Sequence, residues 1–368
     1  MKIALLAHLK FPITQPYPGG LEMHTHLLAG ALRRRGHDVT LFASEGSDPA
    51  LAPILVCPPT GDGLGDSLRH DAIERAERAA YARIMDAVMR GNFDLVHNNS
   101  LHDLPLRRSG DLAVPMVTAL HTPPFESLEA GVRAAAATMA FAVVSNSLAE
   151  AWRDIVPDPV TIGNGVELSV FVYRAAADPA GYVFWSGRIV PEKGLHLAID
   201  AARAAGLPLR FAGPRPDPAY WAERIAPRLG PHLTDLGHLA HTDLAVHLGG
   251  ARAALVTPCW EEPFGLVVAE ALACGTPVAG FGRGALPDIL DATCGALGRP
   301  DDVDSLAAAI ARAVRLDRRA CRDRAEALFD AEAMTAGYLA LYDEAMAAHH
   351  RLRSIAAPRL RRVGGASA

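Results

Sequence analysis

The chain has 368 residues, which exceeds the size at which a single hydrophobic core usually stops growing, so two domains are expected. Half of the residues are hydrophobic, 21% are charged, and the formal net charge is -5. This composition is typical of a folded globular protein, and it argues against a disordered chain or a nucleic-acid-binding polycation.

The first half of the chain alternates between apolar strand-like runs and amphipathic helical stretches. Strands are predicted at 3–7, 38–43, 94–97, 116–120 and 141–145, and helices at 21–35 and 68–89. Such alternation is typical of a parallel, doubly wound sheet. The sequence therefore predicts one α/β domain over residues 1–172.

A small polar linker at 173–180 separates this half from a second run of the same kind. Strands are predicted at 182–185, 209–212, 253–257 and 277–281, and helices at 195–205, 220–229, 266–273, 303–315 and 331–348. The predicted fold class is α/β, with two Rossmann-like doubly wound domains, the second over 181–335. A C-terminal helix at 336–350 is expected to return to the first domain. The tail 351–368 carries five arginines and is expected to be disordered, with binding to anionic membranes or anionic substrates as the alternative.

The five cysteines are widely spaced and form no C-x-x-C pair, so they indicate reduced thiols rather than a disulfide framework or a zinc site. The N-terminal apolar run is short and is broken by His8 and Lys10, which favours a buried strand over a signal peptide. No uninterrupted apolar stretch of about 18 residues occurs. We therefore expect a cytoplasmic protein without a transmembrane segment, for which peripheral membrane contact is left open.

Gly19 and Gly20 lie between the first predicted strand and helix, where a doubly wound sheet binds its ligands. Glycines let backbone N–H groups approach an anion, and the field of the helix N-terminus favours a phosphate. The alternative is a plain turn. Because the G-x-G-x-x-G fingerprint is absent, no NAD site is predicted.

Arg188 and Lys193 flank the loop between a buried strand and a helix in the second domain. The chain has only three lysines, the others being Lys2 and Lys10, so a lysine within a motif is notable. Two cations at this edge of the sheet could clamp a diphosphate. For either residue alone, the alternative is a surface salt bridge.

The segment WEEPFGLVVAEALACGTPVAG is the most informative part of the sequence. Pro263 and Gly265 are expected to open a helix whose first amides, those of Phe264, Gly265 and Leu266, can hold phosphate or sugar oxygens. Glu262 precedes this helix and Glu270 lies inside it, rotated by roughly 80 degrees from alignment, so the two are not predicted to act as an acid/base pair. Two solvated glutamates are the alternative, but Glu270 lies in an apolar stretch and needs a partner.

These motifs resemble family 4 of the retaining glycosyltransferases, which have the GT-B fold, over nearly the whole chain. The matching pieces are PGGLEMH with GHDVTLFA, DLVHNNS, ALHTPP, VVSNS, IGNGVELSVF, SGRIVPEKG, RFAG and EEPFGLVVAEALACGTPVAG. The sequence departs from the usual family pattern at Glu167, where aspartate is common, and at Ala285 and Asp288, where glycine and glutamate are common.

The resemblance implies a role for each matching position. Gly19 and Gly20 would approach the donor phosphate and the acceptor, and His121 would lie over the donor sugar. Arg188 and Lys193 would bind the diphosphate, Glu262 and the backbone of Phe264, Gly265 and Leu266 would orient the sugar, and Glu270 would hold the ribose. Without the resemblance, His121 is better explained by a structural role, and His24 and His26 are expected to be packing or surface groups.

The predicted function is retaining transfer of a sugar from a nucleotide-diphosphate-sugar to a hydroxyl of a glycan, lipid or small molecule. His121, Glu262, Arg188 and Lys193 are the expected catalytic residues. No acidic cluster with metal-ligand character is identified at the relevant strand ends, so neither metal nor other cofactor is expected. Segments 213–217 and 237–241 are expected to contact the base of the nucleotide, and segments 60–68 and 98–104 are expected to contact the acceptor. The motifs do not specify which base or which acceptor is bound. Alternatives are a nucleotide-sugar epimerase, a sugar phosphorylase or a non-catalytic nucleotide-sugar-binding protein.

Overall fold

The computed structural model describes residues 1–61 and 67–356, and within them the first half of the chain forms a seven-stranded sheet. Its elements are β1 (Lys2–Leu6), α1 (Gly20–Arg34), β2 (Asp38–Ala43), β3 (Ile54–Leu55), α2 (Ser67–Arg90), β4 (Leu95–Asn98), α3 (Asp103–Arg107), β5 (Met116–Leu120), α4 (Glu126–Arg133), β6 (Ala140–Val143), α5 (Asn146–Trp152) and β7 (Val160–Thr161). The strand order is β3-β2-β1-β4-β5-β6-β7, and every pairing is parallel.

The second half repeats this arrangement in a six-stranded parallel sheet of order β10-β9-β8-β11-β12-β13. Its elements are β8 (Val183–Ser186), α6 (Leu195–Ala204), β9 (Leu209–Ala212), α7 (Pro218–Tyr220), β10 (Leu233–Asp235), α8 (His241–Gly250), β11 (Ala254–Val256), α9 (Leu266–Ala273), β12 (Val278–Phe281), α10 (Leu286–Ile289), β13 (Gly295–Gly298), α11 (Val303–Ala313) and α12 (Arg318–Leu328). In both sheets the strand order reverses beside the first strand, at β1/β4 and at β8/β11. Crevices at the carboxyl ends of strands form at such reversals.

The central strands are buried on both faces, as their apolar sequences require. Ile3, Leu5 and Leu6 of β1 and Val183 and Phe184 of β8 have no exposed surface. Helices cover both faces of a parallel sheet, and its strands are therefore continuous hydrophobic runs. The two domains thus have the doubly wound α/β architecture that the sequence predicts.

Helix α13 (Ala331–Ala356) leaves the second domain and packs against the first. Met334, Tyr338 and Tyr342 share a hydrophobic core with Ile3 and Leu28 of the first sheet and α1. The helix begins at Ala331, where the sequence predicts the start of a helix over 331–348.

The expectation of disorder from residue 351 is wrong for the start of the tail, because residues 351–356 continue α13. His349 Nε2 and Arg353 Nη1 both donate to the carbonyl of Ala113, at 3.0 and 2.6 Å, which anchors the end of the helix to the first domain. The rest of the predicted disordered tail, 357–368, lies outside the described residues.

The predicted helix at 220–229 is present over residues 218–228, but it is irregular. It consists of α7, a π-helical turn at Trp221–Ile225 and a 3-10 turn at Ala226–Arg228. Pro227 lies inside the run, and proline can neither donate the helical hydrogen bond nor avoid the carbonyl one turn earlier.

Candidate active site

A cavity of about 350 Å³ lies between the two domains, at the carboxyl edges of both sheets. The first domain contributes the loop after β1, the start of α1 and the end of β5, and the second contributes the turns after β8, β9 and β11. Every predicted site residue lines this cavity: Gly19, Gly20, His121, Arg188, Lys193, Glu262, Phe264, Gly265, Leu266 and Glu270. Residues far apart in the sequence are therefore brought to one place.

The turn between β8 and α6 lies directly against the end of β11. Gly194 has a φ of 68°, and a Cβ at this position would lie 2.1 Å from the carbonyl oxygen of Thr257. The Thr257 hydroxyl lies 3.0 Å from the carbonyls of Lys193 and Gly194, and it accepts a hydrogen bond from Trp185 Nε1 at 3.1 Å. This contact fixes Lys193 beside the segment that carries Glu262.

Lys193 and Glu262 form an ion pair at the wall of the cavity. The ammonium Nζ lies 2.5 Å from Glu262 Oε2, and the indole N–H of Trp260 donates to the same oxygen at 3.1 Å. The lysine also lies 5.2 Å from the centroid of the Trp260 ring, within the range of a cation–π contact. Because Oε2 already accepts two hydrogen bonds, Oε1 is the oxygen of Glu262 that is left for a ligand.

Arg188 is the second cation of this wall. Its guanidinium lies 3.5 Å from Glu192 Oε1, and both side chains are about one-third exposed. A long, partly exposed ion pair such as this one exchanges readily for a stronger charge-assisted contact. Arg188 is therefore available to an anionic ligand.

Helix α9 begins at the cavity directly after its N-cap residue Gly265, whose φ of 84° lies in the left-handed region. The amides at the start of a helix have no carbonyl one turn earlier to accept from them, so those of Phe264, Gly265 and Leu266 can bind an anion. A Cβ added to Gly20 would lie 2.7 Å from Leu266 Cδ1. The N-termini of α1 and α9 therefore meet across the cleft.

Glu270 is buried within α9, and burial raises the pKa of its carboxyl from 4.5 to about 8. Its neighbour His241, at the start of α8, lies 3.9 Å away, and burial lowers the pKa of that imidazole to about 4. Both groups are therefore uncharged at neutral pH. A neutral carboxyl both donates and accepts hydrogen bonds, which suits a hydroxyl-bearing ligand.

His121 follows β5 directly and lies between the cavity and the core of the first domain. Its Nε2 lies 3.1 Å from Asn99 Oδ1. Burial lowers the pKa of His121 well below 6.5, with a further contribution from His24, His97 and His8. The ring is therefore uncharged at neutral pH.

The other two histidines of the predicted site region have the roles of packing and surface groups. His24 is buried with its ring centroid 4.6 Å from that of His121, and burial lowers its pKa to about 3. His26 Nε2 lies 2.9 Å from Asp48 Oδ2 at the partly exposed side of α1.

Four further residues belong to this region although the sequence analysis gave them no individual role, Asn99 and His241 being included only within the predicted segments 98–104 and 237–241. Trp260 and His241 line the cavity and contact the two predicted glutamates, Asn164 lines it from the first domain, and Asn99 supports His121 from below. Asn99 follows β4, the neighbour of β5 in the sheet. Its place at the carboxyl edge of adjacent parallel strands is the signal that would have identified it.

The loops predicted to contact a base and an acceptor are partly placed at the cavity. Gly213, Pro214, His238, Leu239 and His241 line it from the second domain, and Leu101 lines it from the first. Residues 62–66 of the predicted acceptor loop 60–68 lie outside the described residues.

The two domains touch through direct hydrogen bonds beside the cavity. Ser145 Oγ donates to the carbonyl of Pro263 at 2.6 Å, His238 Nε2 donates to that of Tyr17 at 3.0 Å, and the amide of His241 donates to Gln15 Oε1 at 3.1 Å. These contacts hold the two walls of the cleft together.

Two family models match the chain, one in each domain. Residues 18–170 match the family described as Glycosyltransferase Family 4, and residues 174–327 match Glycosyl transferases group 1. The chain belongs to these glycosyltransferases. It is therefore an enzyme of the transferase class, and its two domains are those of the GT-B fold.

Curated relatives of this glycosyltransferase align with it over most of their length. The MMP alpha-(1->4)-mannosyltransferase of Mycolicibacterium hassiacum is 25% identical over 415 residues, covering 94% of this chain and 99% of the relative. A phosphatidyl-myo-inositol mannosyltransferase of Mycobacterium tuberculosis is 28% identical over 341 residues, covering 84% of this chain and 86% of the relative. A glycogen synthase of the same organism is 28% identical over 360 residues, covering 84% and 85%.

Solved structures share the fold of this glycosyltransferase. Sucrose-phosphate synthase of Thermosynechococcus elongatus superposes with a TM-score of 0.75 at 22% identity, covering 95% of this chain and all of the other. Anabaena HepE, solved in complex with UDP and glucose, superposes with a TM-score of 0.71 at 18% identity, covering 94% of this chain and all of the other.

Two further features of the glycosyltransferase concern metals and membranes. Within residues 1–61 and 67–356, no three His, Cys, Asp or Glu side chains are grouped as the ligands of a metal ion would be. Among the described helices, none is long and apolar enough to cross a bilayer.

Proposed function

We propose that this glycosyltransferase transfers a sugar from a nucleotide-diphosphate-sugar to an acceptor hydroxyl with retention of anomeric configuration and without a metal ion. The observation that carries the proposal is the meeting of Arg188, Lys193, Glu262 and the start of α9 at one cavity wall. The Anabaena neighbour solved with UDP and glucose supports a nucleoside diphosphate as the bound group.

The reaction requires departure of a nucleoside diphosphate, whose negative charge grows as the glycosidic bond to phosphate breaks. Interactions accelerate the step only if they are stronger in the transition state than before it. Arg188, Lys193 and the first amides of α9 supply positive field where this charge develops. Glu270, deeper in the same helix, is proposed to bind the ribose hydroxyls.

Retention is proposed to follow from attack on the face that the leaving group vacates. The acceptor oxygen forms its bond to the anomeric carbon, the bond from that carbon to the diphosphate oxygen breaks, and the acceptor proton passes to the departing phosphate. No side chain of the enzyme acts as nucleophile. Glu262 and His121 orient the sugar, and contact between the two domains excludes water, which would otherwise hydrolyse the donor.

A panel of nucleoside diphosphates and their sugars, screened by thermal shift, identifies the donor of this enzyme. Turnover of that donor with candidate acceptors then tests transfer, and proton NMR of the anomeric signal at early times tests retention. We expect activity to survive treatment with EDTA. Donor binding without transfer to any acceptor would instead indicate a non-catalytic binding protein, and an inverted product or loss of activity with the chelator would overturn the mechanism.

Glu262 and its neighbour Glu261 form a matched pair for assigning the sugar-orienting role. Glu262→Gln is expected to lower kcat by about tenfold or more while nucleoside diphosphate affinity changes little, because Lys193 remains to bind phosphate. Glu261→Gln is the control, since that side chain is 70% exposed. Equal losses of kcat and nucleotide affinity in Glu262→Gln would contradict the proposed role.

A further inference from the structure

A chain of buried hydrogen bonds leads from His121 into the core of the first domain. Asn99 Oδ1 lies 3.1 Å from His121 Nε2 and 2.9 Å from His97 Nε2. The Tyr342 hydroxyl lies 2.7 Å from His97 Nδ1. His121, at the cavity, is thereby connected to Tyr342 on the C-terminal helix α13. Tyr342 is 245 residues from His97 in the sequence.

The chemistry of these groups fixes where each proton resides. An amide oxygen only accepts hydrogen bonds, so both histidines donate to Asn99 through a protonated Nε2. The amide nitrogen of Asn99 points the other way, donating to Thr25 Oγ1 at 3.3 Å. His97 then has an unprotonated Nδ1, which accepts from the Tyr342 hydroxyl. The Nε2–H groups of both histidines and the Tyr342 hydroxyl therefore each donate to an acceptor in this series of hydrogen bonds.

The surroundings keep both imidazoles uncharged. Burial lowers the pKa of His97 to about 4 and that of His121 well below 6.5. The titratable groups that face His121 are the imidazoles of His24 on α1, His97 on β4 and His8 after β1, and His8 lies 3.4 Å from the carboxylate of Glu22. With Nε2 of His121 committed to Asn99, its Nδ1 lone pair is left for a ligand.

We propose that Asn99, and through His97 also Tyr342, are positioning residues that hold His121 as the Nε2-protonated tautomer, so that its Nδ1 accepts a hydrogen bond from a hydroxyl of the donor sugar. This inference rests on the proposed function, because that function places the sugar against His121. It adds that the C-terminal helix determines which hydrogen-bonding group the first domain presents to the donor.

The tautomer itself is measured without any turnover. In protein labelled with ¹⁵N-histidine, the ring signals of His121, assigned by their loss in His121→Gln, are expected to show a protonated Nε2 and a bare Nδ1 at neutral pH. A protonated Nδ1, or a charged ring, would overturn the proposal. Because no substrate is involved, this result stands even if sugar transfer is not found, which separates failure of the inference from failure of the proposed function.

Asn99→Asp tests the role of the amide in turnover. A carboxylate between the two imidazoles favours their protonated forms, so His121 would donate rather than accept at Nδ1. We expect kcat of this variant to be low at pH 6 and to rise by about tenfold relative to wild type as the pH increases to 9. Asn92→Asp, at an exposed position just before β4, is the control. The same pH profile in wild type and Asn99→Asp would contradict the proposal.

The two tyrosines of α13 provide a second, milder test if the aspartate variant folds poorly. Tyr342 and Tyr338 are both fully buried, but among the described residues the Tyr338 hydroxyl has no hydrogen-bond partner. Tyr342→Phe is expected to lower kcat about two- to tenfold without weakening nucleoside diphosphate binding, and Tyr338→Phe to leave both near wild type. Equal kcat in Tyr342→Phe and Tyr338→Phe would overturn the proposal that Tyr342 positions His121 through His97.

Discussion

Lys193 is shared between the carboxylate of Glu262 and the space in which a diphosphate is proposed to bind. Its side chain is 24% exposed, so it is neither free in solvent nor sequestered. A ligand phosphate can therefore approach the ammonium while the pair with Glu262 persists. This single residue would link the leaving group to the group that orients the sugar.

Lys193→Ala is expected to weaken nucleoside diphosphate binding by about ten- to a hundredfold, the value of one or two charge-assisted hydrogen bonds. Titration calorimetry with the diphosphate identified by thermal shift measures the change. Lys2→Ala, at an exposed position of the first strand, is the control. If the alanine variant at 193 binds as wild type does, Lys193 does not contact the diphosphate.

Glu270 shows how a buried carboxyl group makes the stability of the protein depend on pH. Its pKa is raised from 4.5 to about 8, so between these values the native carboxyl keeps a proton that the unfolded chain has lost. The native state binds more protons, and stability therefore falls as the pH rises through this window, by roughly 1.4 kcal/mol per pH unit.

Glu270→Gln removes this ionisation and should make the protein more stable than wild type at pH 8, with little difference at pH 4.5. Nucleoside diphosphate affinity should fall in the same variant, because the ribose loses its proposed partner. Denaturant unfolding at the two pH values measures the first effect. A constant difference in stability between Glu270→Gln and wild type at the two pH values would exclude this origin.

At the scale of elements, the turn between β8 and α6 is constrained both by its close contact with the end of β11 and by the left-handed backbone conformation of Gly194. Gly194 and Gly206 both have a φ of 68°, but only at Gly194 would a Cβ meet another atom, the carbonyl oxygen of Thr257. Alanine substitutions at these two glycines therefore distinguish the free-energy cost of a left-handed backbone from the cost of a steric clash between Cβ and the Thr257 carbonyl.

Gly206→Ala should cost about 1 kcal/mol of unfolding free energy, from conformation alone. Gly194→Ala should cost at least about 3 kcal/mol, since the end of β11 must move, and it should also weaken nucleotide binding by displacing Lys193. Urea unfolding of both variants gives the comparison. Similar losses of unfolding free energy in the two variants would mean that the turn between β8 and α6 can move away from β11 without strain.

The elements that hold the site could be predicted because their signals are local. The apolar run before Gly187 and the apolar run after Gly265 predict β8 and α9, and both elements are present. Short helices such as α3, α4 and α5 were missed, since five to eight residues do not establish a helical period against neighbouring prolines and glycines. The pattern of 220–229 predicts a helix, and Pro227 lies where the observed helix tightens into a 3-10 turn.

The contacts between site residues could be predicted less well than the placement of those residues at the cavity. Strand ends and helix starts placed Arg188, Lys193, Glu262 and Glu270 at one edge of one sheet, and all four line the cavity. The pairing of Lys193 with Glu262 joins residues 69 positions apart, and the contact of Tyr342 with His97 joins residues 245 positions apart. No local pattern encodes such contacts, because they depend on how whole elements pack.

At the scale of the whole molecule, the two domains meet where Gly20 faces Leu266. The nearest atom to a Cβ at Gly20 is the end of a flexible side chain, so a substitution should disturb closure rather than folding. The hydrogen bonds from Ser145 and His238 lie beside this contact and depend on the same approach.

Gly20→Ala is therefore expected to lower kcat several-fold with little change in the melting temperature, and Leu266→Ala in the same chain should restore part of the loss. Steady-state kinetics of the two single variants and the double variant give the coupling between them. Gly110→Ala, where a Cβ meets nothing within 4 Å, is the control. Additive effects of the two substitutions would show that the domains do not approach here during turnover.

The return of α13 to the first sheet also affects how the protein is made. The core around Ile3 and Leu28 is completed by Met334, Tyr338 and Tyr342, which are synthesised after the whole of the second domain. Domains generally fold in order of synthesis, N-terminal first. Here the half of the enzyme that is translated first cannot close its core until the second domain has been synthesised.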